Sequence, residues 1–183
     1  MKVKLVQLLV CLLGLTTAQA QMLKNITLLT QKIRSADSVQ LISHELTTGY
    51  AITPELEIGD TSLNSKEWHK LHPPPLKFLV NGKLNRNIIV ESHFLSKTGK
   101  DSLIITLLRR VILKEISRTT CDEPRHTIII YKNGKEVYID ICFGCRRIHT
   151  SKDIDFSESY MDDKKWEELE DFFKVSGLTK IFE

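Results

Sequence analysis

The clearest alternation of apolar and polar positions lies in the last third of the chain, on both sides of Asn133-Gly134. Strict alternation over a short run is typical of a β-strand, and Asn-Gly between two such runs predicts a two-residue hairpin turn. The turn would place Lys132 opposite Lys135 and put five apolar residues on one face, which we expect to be buried: Ile128, Ile130, Val137, Ile139 and Ile141. The other face is half polar, with Thr127, Ile129, Tyr131, Glu136, Tyr138 and Asp140.

Two further strand regions are predicted upstream. Residues 38–46 alternate apolar and polar side chains, which favours a strand. A second pair, Asn81-Gly82, lies between two apolar runs and predicts another hairpin. Three prolines at 73–75 precede it. They form a stiff connector, because each proline fixes its own φ and restricts the residue before it.

Two segments have the three- and four-residue apolar spacing of amphipathic helices. The first covers residues 102–117 and the second covers 162–176. The second has Asp162 at its N-cap, an aromatic stripe that includes Trp166, and Gly177 in position to end it. Together these elements predict an α+β fold, in which a mainly antiparallel sheet with two Asn-Gly hairpins is packed on one face by two helices.

The first twenty residues have the pattern of a secretory signal peptide. Lys2 and Lys4 precede an apolar run from Leu5 to Leu15, and Ala18-Gln19-Ala20 has the small residues of a cleavage site. The apolar run is too short to span a bilayer. We therefore expect cleavage near the end of this triplet and a secreted or periplasmic protein without a membrane span. Residues 21–183 would form a single globular domain.

The charge of the chain does not point to a polyanionic partner. The formal net charge is +3, and removal of the leader with its two lysines lowers it to +1. A nearly neutral protein lacks the electrostatic footprint of nucleic-acid binding. We therefore expect no nucleic-acid partner, whereas a protein partner in the cell envelope remains open.

The cysteines give the main chemical hypothesis. Cleavage of the leader leaves three thiols, Cys121, Cys142 and Cys145. Export favours oxidation, but an odd number cannot all pair within one chain. Continuing the hairpin register outward places Cys121 opposite position 146, beside Cys145. We therefore expect all three thiols to gather at the open end of one hairpin.

Three chemistries suit such a cluster. As a structural clip we expect a disulfide between Cys121 and Cys145, which would close a loop of about 25 residues and contribute roughly 3.5 kcal/mol, with Cys142 as the spare thiol or third ligand. A disulfide between Cys142 and Cys145 would contribute roughly 2 kcal/mol and could cycle as a redox pair. Three thiolates with one histidine would instead make a zinc site. His149 is the preferred fourth ligand, with His126 as the alternative, because His126 should lie on the core face of its strand.

Enzymatic chemistry is the weaker interpretation. In a thiol–disulfide exchange enzyme Cys142 would attack and Cys145 would resolve, with Arg146 or Arg147 favouring the thiolate. Efficient enzymes of this class place Cys-x-x-Cys at a helix N-terminus, but no helical periodicity follows Cys145 here. We therefore favour a non-catalytic role for the cluster, as a structural disulfide or a zinc site, with no other cofactor.

Other catalytic motifs are missing or incomplete. His44-Glu45 begins like a zinc-protease motif, but Thr48 occupies the position of the second histidine. The sequence has no glycine-rich phosphate loop, Gly-x-Ser-x-Gly elbow or dinucleotide fingerprint. No reaction class is therefore indicated outside the thiols.

Three stretches together resemble a pattern of uncharacterised exported bacterial proteins: Cys121-Asp122-Glu123-Pro124-Arg125-His126, Asn133-Gly134-Lys135 and Ile141-Cys142-Phe143-Gly144-Cys145. Those proteins also tend to end in an amphipathic helix, as residues 166–173 do here. The resemblance covers about residues 119–182. It implies a bacterial envelope or secreted setting and carries no known activity.

Overall fold

The structure is a computed structural model that describes residues 20–45, 77–81, 83–109 and 123–180. Helix α1 covers described residues 20–34, followed by β1 (Ser38–His44), β2 (Leu79–Val80), β3 (Lys83–Leu84), β4 (Ile89–Phe94), α2 (Lys97–Leu108), β5 (His126–Lys132), β6 (Lys135–Cys142), β7 (Arg147–Thr150) and α3 (Asp163–Val175). The fold is α+β, as the sequence predicted. No helix within the described residues is long and apolar enough to cross a membrane.

The main sheet has five strands in the order β4-β1-β5-β6-β7, and each neighbouring pair is antiparallel. The predicted register of β5 and β6 is confirmed, since Lys132 pairs with Lys135 and the ladder continues from there. Asn133 has φ 52° and Gly134 has φ 71°. Positive φ at both central residues is the conformation that makes Asn-Gly favourable in tight hairpins.

The second sheet is a short ladder of β2 and β3 around Asn81. Leu79 pairs with Leu84 and Val80 pairs with Lys83, while Asn81 has φ 53°. Gly82 lies outside the described residues, so the predicted Asn-Gly turn stays a prediction here. The segment matters to the fold because it carries apolar residues onto the second face of the main sheet.

Three helices pack on the first face of the main sheet. The two predicted ones are present as α2 and α3, although α2 already begins at Lys97 and residues 110–117 lie outside the described part of the chain. Helix α1 joins them, although its mixed apolar and basic sequence did not predict an element type. The shared core includes Ile33, Leu41, Leu107, Ile128, Ile130, Ile139, Ile141, Leu169 and Phe173.

A smaller apolar cluster covers part of the second face. Phe78, Leu84 and Ile88 pack against Ile42 and Ile129 of the sheet. This cover explains why polar residues on the half-polar face are buried, because it removes them from water together with their apolar neighbours. Thr127 and Asp140 have no exposed surface.

Candidate functional site

The two cysteines of the Cys-x-x-Cys lie in the connection between β6 and β7. Cys142 is the last residue of β6, residues 143–146 form the turn, and β7 begins at Arg147. Cys142 and Cys145 form a disulfide with a Cα–Cα distance of 5.3 Å. Their exposed fractions are 4% and 1%, so the bond lies inside the protein. Arg146, with φ 56°, completes the reversal of the chain.

Backbone amides surround the two sulfur atoms. The Cys145 N–H donates to Cys142 Sγ at 3.1 Å, and the Glu123 N–H donates to Cys145 Sγ at 3.5 Å. Such donors would favour a thiolate if the bond were reduced. The turn leads into a strand, however, and the dipole of a helix N-terminus is therefore not available to lower a thiol pKa.

His126, the alternative zinc ligand, is a core residue. It pairs with Ile141 at the start of β5 and lies on the core face, as predicted. Its ring centroid is 5.1 Å from that of Phe143 and 5.6 Å from that of Phe173. Burial, followed by the charges of His44 and Arg125, lowers the pKa of His126 to about 3. The imidazole is therefore neutral at physiological pH.

His149, the preferred fourth ligand, lies on the opposite face of the sheet from His126. It pairs with Asp140, whereas His126 pairs with Ile141 on the same strand. Successive side chains of a strand point to opposite faces. Within the described residues no group of three or more His, Cys, Asp and Glu side chains is arranged to hold a metal ion.

Cys121 lies outside the described residues, so its predicted roles stay predictions. A sulfur atom forms one disulfide at a time, and Cys145 is bonded to Cys142 in this structure. A Cys121–Cys145 disulfide, or a zinc site built from all three thiolates, would therefore require this bond to be broken first.

Arg146, the last residue of the turn, and Arg147, the first of β7, do not have equivalent surroundings. The Arg146 guanidinium forms an ion pair with Asp163 in the first turn of α3. The Nε atom of Arg147 is buried and has no hydrogen-bond partner within the described part of the chain. Arg146 therefore connects the cysteine turn to α3, which is a structural role that the sequence did not predict.

The structure also contains a buried polar network that the sequence did not predict. His44 Nε2 lies 3.0 Å from Asp140 Oδ1, and the Thr127 hydroxyl donates to the same oxygen at 2.9 Å. His44 Nδ1 lies 2.9 Å from the carbonyl oxygen of Glu45. All three side-chain residues of the network are fully buried. Asp140 Oδ2 has no hydrogen-bond partner among the described residues.

The hydrogen bonds of this network constrain its protons. Both ring nitrogens of His44 face oxygen atoms, and a carbonyl oxygen can only accept, so Nδ1 carries a proton. A second proton must lie between Nε2 and Asp140 Oδ1, because two bare acceptors would repel.

Aromatic rings close this network off from solvent. The Phe78 ring centroid lies 5.4 Å from that of His44 and 5.0 Å from that of Tyr138. Burial, and then the Asp140 carboxylate, raises the pKa of Tyr138. A substrate has no open path to the His44–Asp140 pair among the described residues, because both side chains are fully buried. The network is therefore a polar part of the core rather than an exposed catalytic dyad.

Comparisons of the chain with protein families, with curated proteins and with solved structures found no match. The fold and the cysteine turn define an α+β protein with a five-stranded antiparallel sheet and a disulfide in one of its strand connections. The resemblance to exported bacterial proteins stays a prediction.

Proposed function

We propose that this chain is an exported, non-catalytic protein in which the Cys142–Cys145 disulfide is a structural clip. The buried position of the bond in a strand connection carries the proposal, because a catalytic disulfide must be reached by its substrate. The leader pattern at the N-terminus supports export, and disulfides persist in oxidising compartments such as the periplasm.

The clip holds an aromatic residue in place. Phe143 lies between the two cysteines, and its ring centroid is 5.4 Å from that of Phe173 and 6.2 Å from that of Trp166, both on α3. Closing this short loop restricts the unfolded chain and contributes roughly 2 kcal/mol in the chain-entropy model. The disulfide thus favours the turn conformation in which Phe143 packs between the sheet and α3.

Thiol–disulfide exchange is the competing function. The N–H of Cys145 directed at Cys142 Sγ favours it, since the donor would stabilise an attacking thiolate. The burial of both cysteines and the pairing of Arg146 with Asp163 favour the structural role instead. We therefore place the exchange enzyme second.

Cys121 supplies the third thiol of the proposed cluster. Glu123, two residues further along the chain, contacts Cys145 Sγ through its backbone N–H. In the oxidised form Cys121 would be a spare thiol, and in a reduced form it would be the third zinc ligand.

The experiment compares a double variant, Cys142→Ser with Cys145→Ser, with the single variant Cys121→Ser. We expect the double variant to lose about 2 kcal/mol of unfolding free energy in urea titrations. The single variant should stay within about 0.5 kcal/mol of the wild type.

Wild-type protein and the Cys121→Ser variant, which both retain the bond, are then exposed to glutathione buffers that cover roughly −200 to −300 mV. A structural clip stays oxidised, whereas a redox-active pair is reduced while the fold persists. Ready reduction combined with insulin reductase activity would establish the exchange enzyme instead. One equivalent of tightly bound zinc in the purified protein would establish the metal site.

A further inference from the structure

A cleft at the tip of the β5–β6 hairpin has an unusual lining. It measures about 430 Å³, is open to solvent on one side, and is lined by Lys32, Lys132 and Lys135, with Asp153 as the single carboxylate among the described lining residues. The apolar lining consists of the partly buried Val137 and of Ile130, which is 2% exposed. Ligand sites of this size combine a mostly apolar surface with a few placed polar groups.

The three lysines of this cleft outnumber the carboxylates among its described lining residues. Within the described part of the chain, neither Lys32 nor Lys135 has an acidic group within 4.0 Å, and Lys132 Nζ donates to the Ser35 hydroxyl at 2.7 Å. Lys132 and Lys135 are direct cross-strand partners. Like charges in this arrangement repel, which is unfavourable in the absence of an anion.

Two hydrogen bonds hold the backbone of the hairpin beside this cleft in place. The Asn133 N–H donates to Asp37 Oδ2 at 2.7 Å, and the Asp37 N–H donates to the Tyr131 carbonyl at 2.9 Å. These bonds fix the hairpin tip against the segment that follows α1. Lys32 lies in the last turn of α1, where a cation also suits the helix dipole, but the dipole does not account for the facing pair on the hairpin.

We propose that this cleft binds a small anion that carries an apolar group, such as an alkyl or aryl phosphate, sulfonate or carboxylate. The three ammonium groups bind the anionic head, and the apolar body packs on Ile130 and Val137. The site is separate from the cysteine turn, so its occupancy does not depend on the proposed disulfide clip.

Octyl phosphate, which has an anionic head and an apolar chain, tests the proposal. Inorganic phosphate has only the anionic head and octanol lacks the charge, so these two serve as partial ligands. Calorimetric titration of the full-length chain should show octyl phosphate binding at least tenfold more tightly than either partial ligand, because only octyl phosphate has both groups. Amide shifts in ¹⁵N-labelled protein should be largest over residues 130–137. Equal binding of octanol, or the largest shifts elsewhere, would overturn the proposal.

Charge reversal supplies the matched control. The double variant Lys132→Glu with Lys135→Glu should weaken octyl phosphate binding at least tenfold. The variant Lys24→Glu with Lys97→Glu makes the same change in net charge at two exposed lysines outside the cleft, and should stay within twofold of the wild type. All four side chains are exposed, so thermal unfolding should confirm that both variants fold. If both variants lost the same affinity for octyl phosphate, net charge alone would explain the effect. That result would contradict the proposed site.

Discussion

At the scale of single residues, two histidines are buried in contrasting ways. His126 packs among aromatic rings, which favours the neutral imidazole. His44 has both ring nitrogens within hydrogen-bond distance of oxygen atoms, those of the Asp140 carboxylate and the Glu45 carbonyl. The two residues should therefore respond differently to the loss of their neighbours.

His126 should make the protein less stable in acid. Its pKa is about 3 in the folded protein and near 6.5 in the unfolded chain. Between these values the unfolded chain binds a proton that the folded protein does not. The free energy of unfolding therefore falls as pH decreases through this window, by up to about 1.4 kcal/mol per pH unit.

Urea titrations between pH 7 and pH 4 measure this effect in a matched pair of variants. His126→Gln should have a shallower loss of stability with falling pH than the wild type. His93→Gln, at an exposed position on β4, should retain the wild-type slope. Parallel curves for the wild type and His126→Gln would show that His126 is protonated in the folded protein.

Loss of the Asp140 carboxylate should lower the free energy of unfolding more than loss of the Thr127 hydroxyl. Asp140→Asn removes the buried carboxylate that contacts both His44 Nε2 and the Thr127 hydroxyl, and the loss of such a buried charged partner costs roughly 3–5 kcal/mol. Thr127→Val preserves shape and removes one hydrogen bond, with an expected cost of about 1 kcal/mol. Equal costs in urea titration would mean that no ion pair is present.

At the scale of elements, the two-residue β5–β6 turn and the four-residue cysteine turn differ in the backbone conformation of their glycines. Gly134 has φ 71° in the β5–β6 turn, a conformation that a Cβ atom strains. Gly144, in the cysteine turn, has φ outside the left-handed region and open space at its Cβ position. In that turn the reversal falls on Arg146 instead.

This difference predicts opposite outcomes for one substitution. Gly134→Ala should cost about 1–2 kcal/mol of unfolding free energy, because alanine must adopt the left-handed conformation. Gly144→Ala should be neutral within about 0.5 kcal/mol or slightly stabilising, since it reduces the freedom of the unfolded chain. Chemical denaturation of the two variants checks both values, and a loss of more than 1 kcal/mol for Gly144→Ala would contradict this view of the cysteine turn.

Helices α2 and α3 are joined by a buried lysine. Lys165 Nζ donates to the carbonyl oxygens of Leu107 and Tyr160 at 3.0 and 3.1 Å. Burial, followed by the charge of Arg109, lowers the pKa of Lys165 to about 8. The carbonyl of Leu107 belongs to the last turn of α2, so the lysine satisfies a group that has no partner within its own helix.

Features that depend on residues close together in the sequence could be predicted from it. The Asn133-Gly134 register and the Asp162 cap, which accepts from the Lys165 N–H, depend on residues a few positions apart. The buried network depends on a segment distant in sequence. Thr127 and Asp140 had the pattern of a half-exposed face, whereas in the structure residues 78–81 and 83–89 help to cover that face and both side chains are buried.

For the molecule as a whole, the proposed structural role depends on which cysteines form the disulfide. The sequence placed three thiols near one hairpin end and favoured the pair Cys121–Cys145. The geometry of the turn that joins Cys142 to Cys145 is not visible in the residue pattern. The structure joins Cys142 to Cys145 across that turn. The proposed structural role therefore requires this pair, and not a pair with Cys121, in the purified protein.

Peptide mapping of protein alkylated without reductant, under denaturing conditions, tests this claim most directly. Trypsin separates the peptide 119–125, which contains Cys121, from the peptide 136–146, which contains Cys142 and Cys145. A Cys142–Cys145 disulfide predicts one alkyl group on peptide 119–125. It also predicts that peptide 136–146 carries no alkyl group and is lighter than its reduced form by two hydrogen atoms. A cross-link between the two peptides, or alkylation of all three thiols, would contradict it.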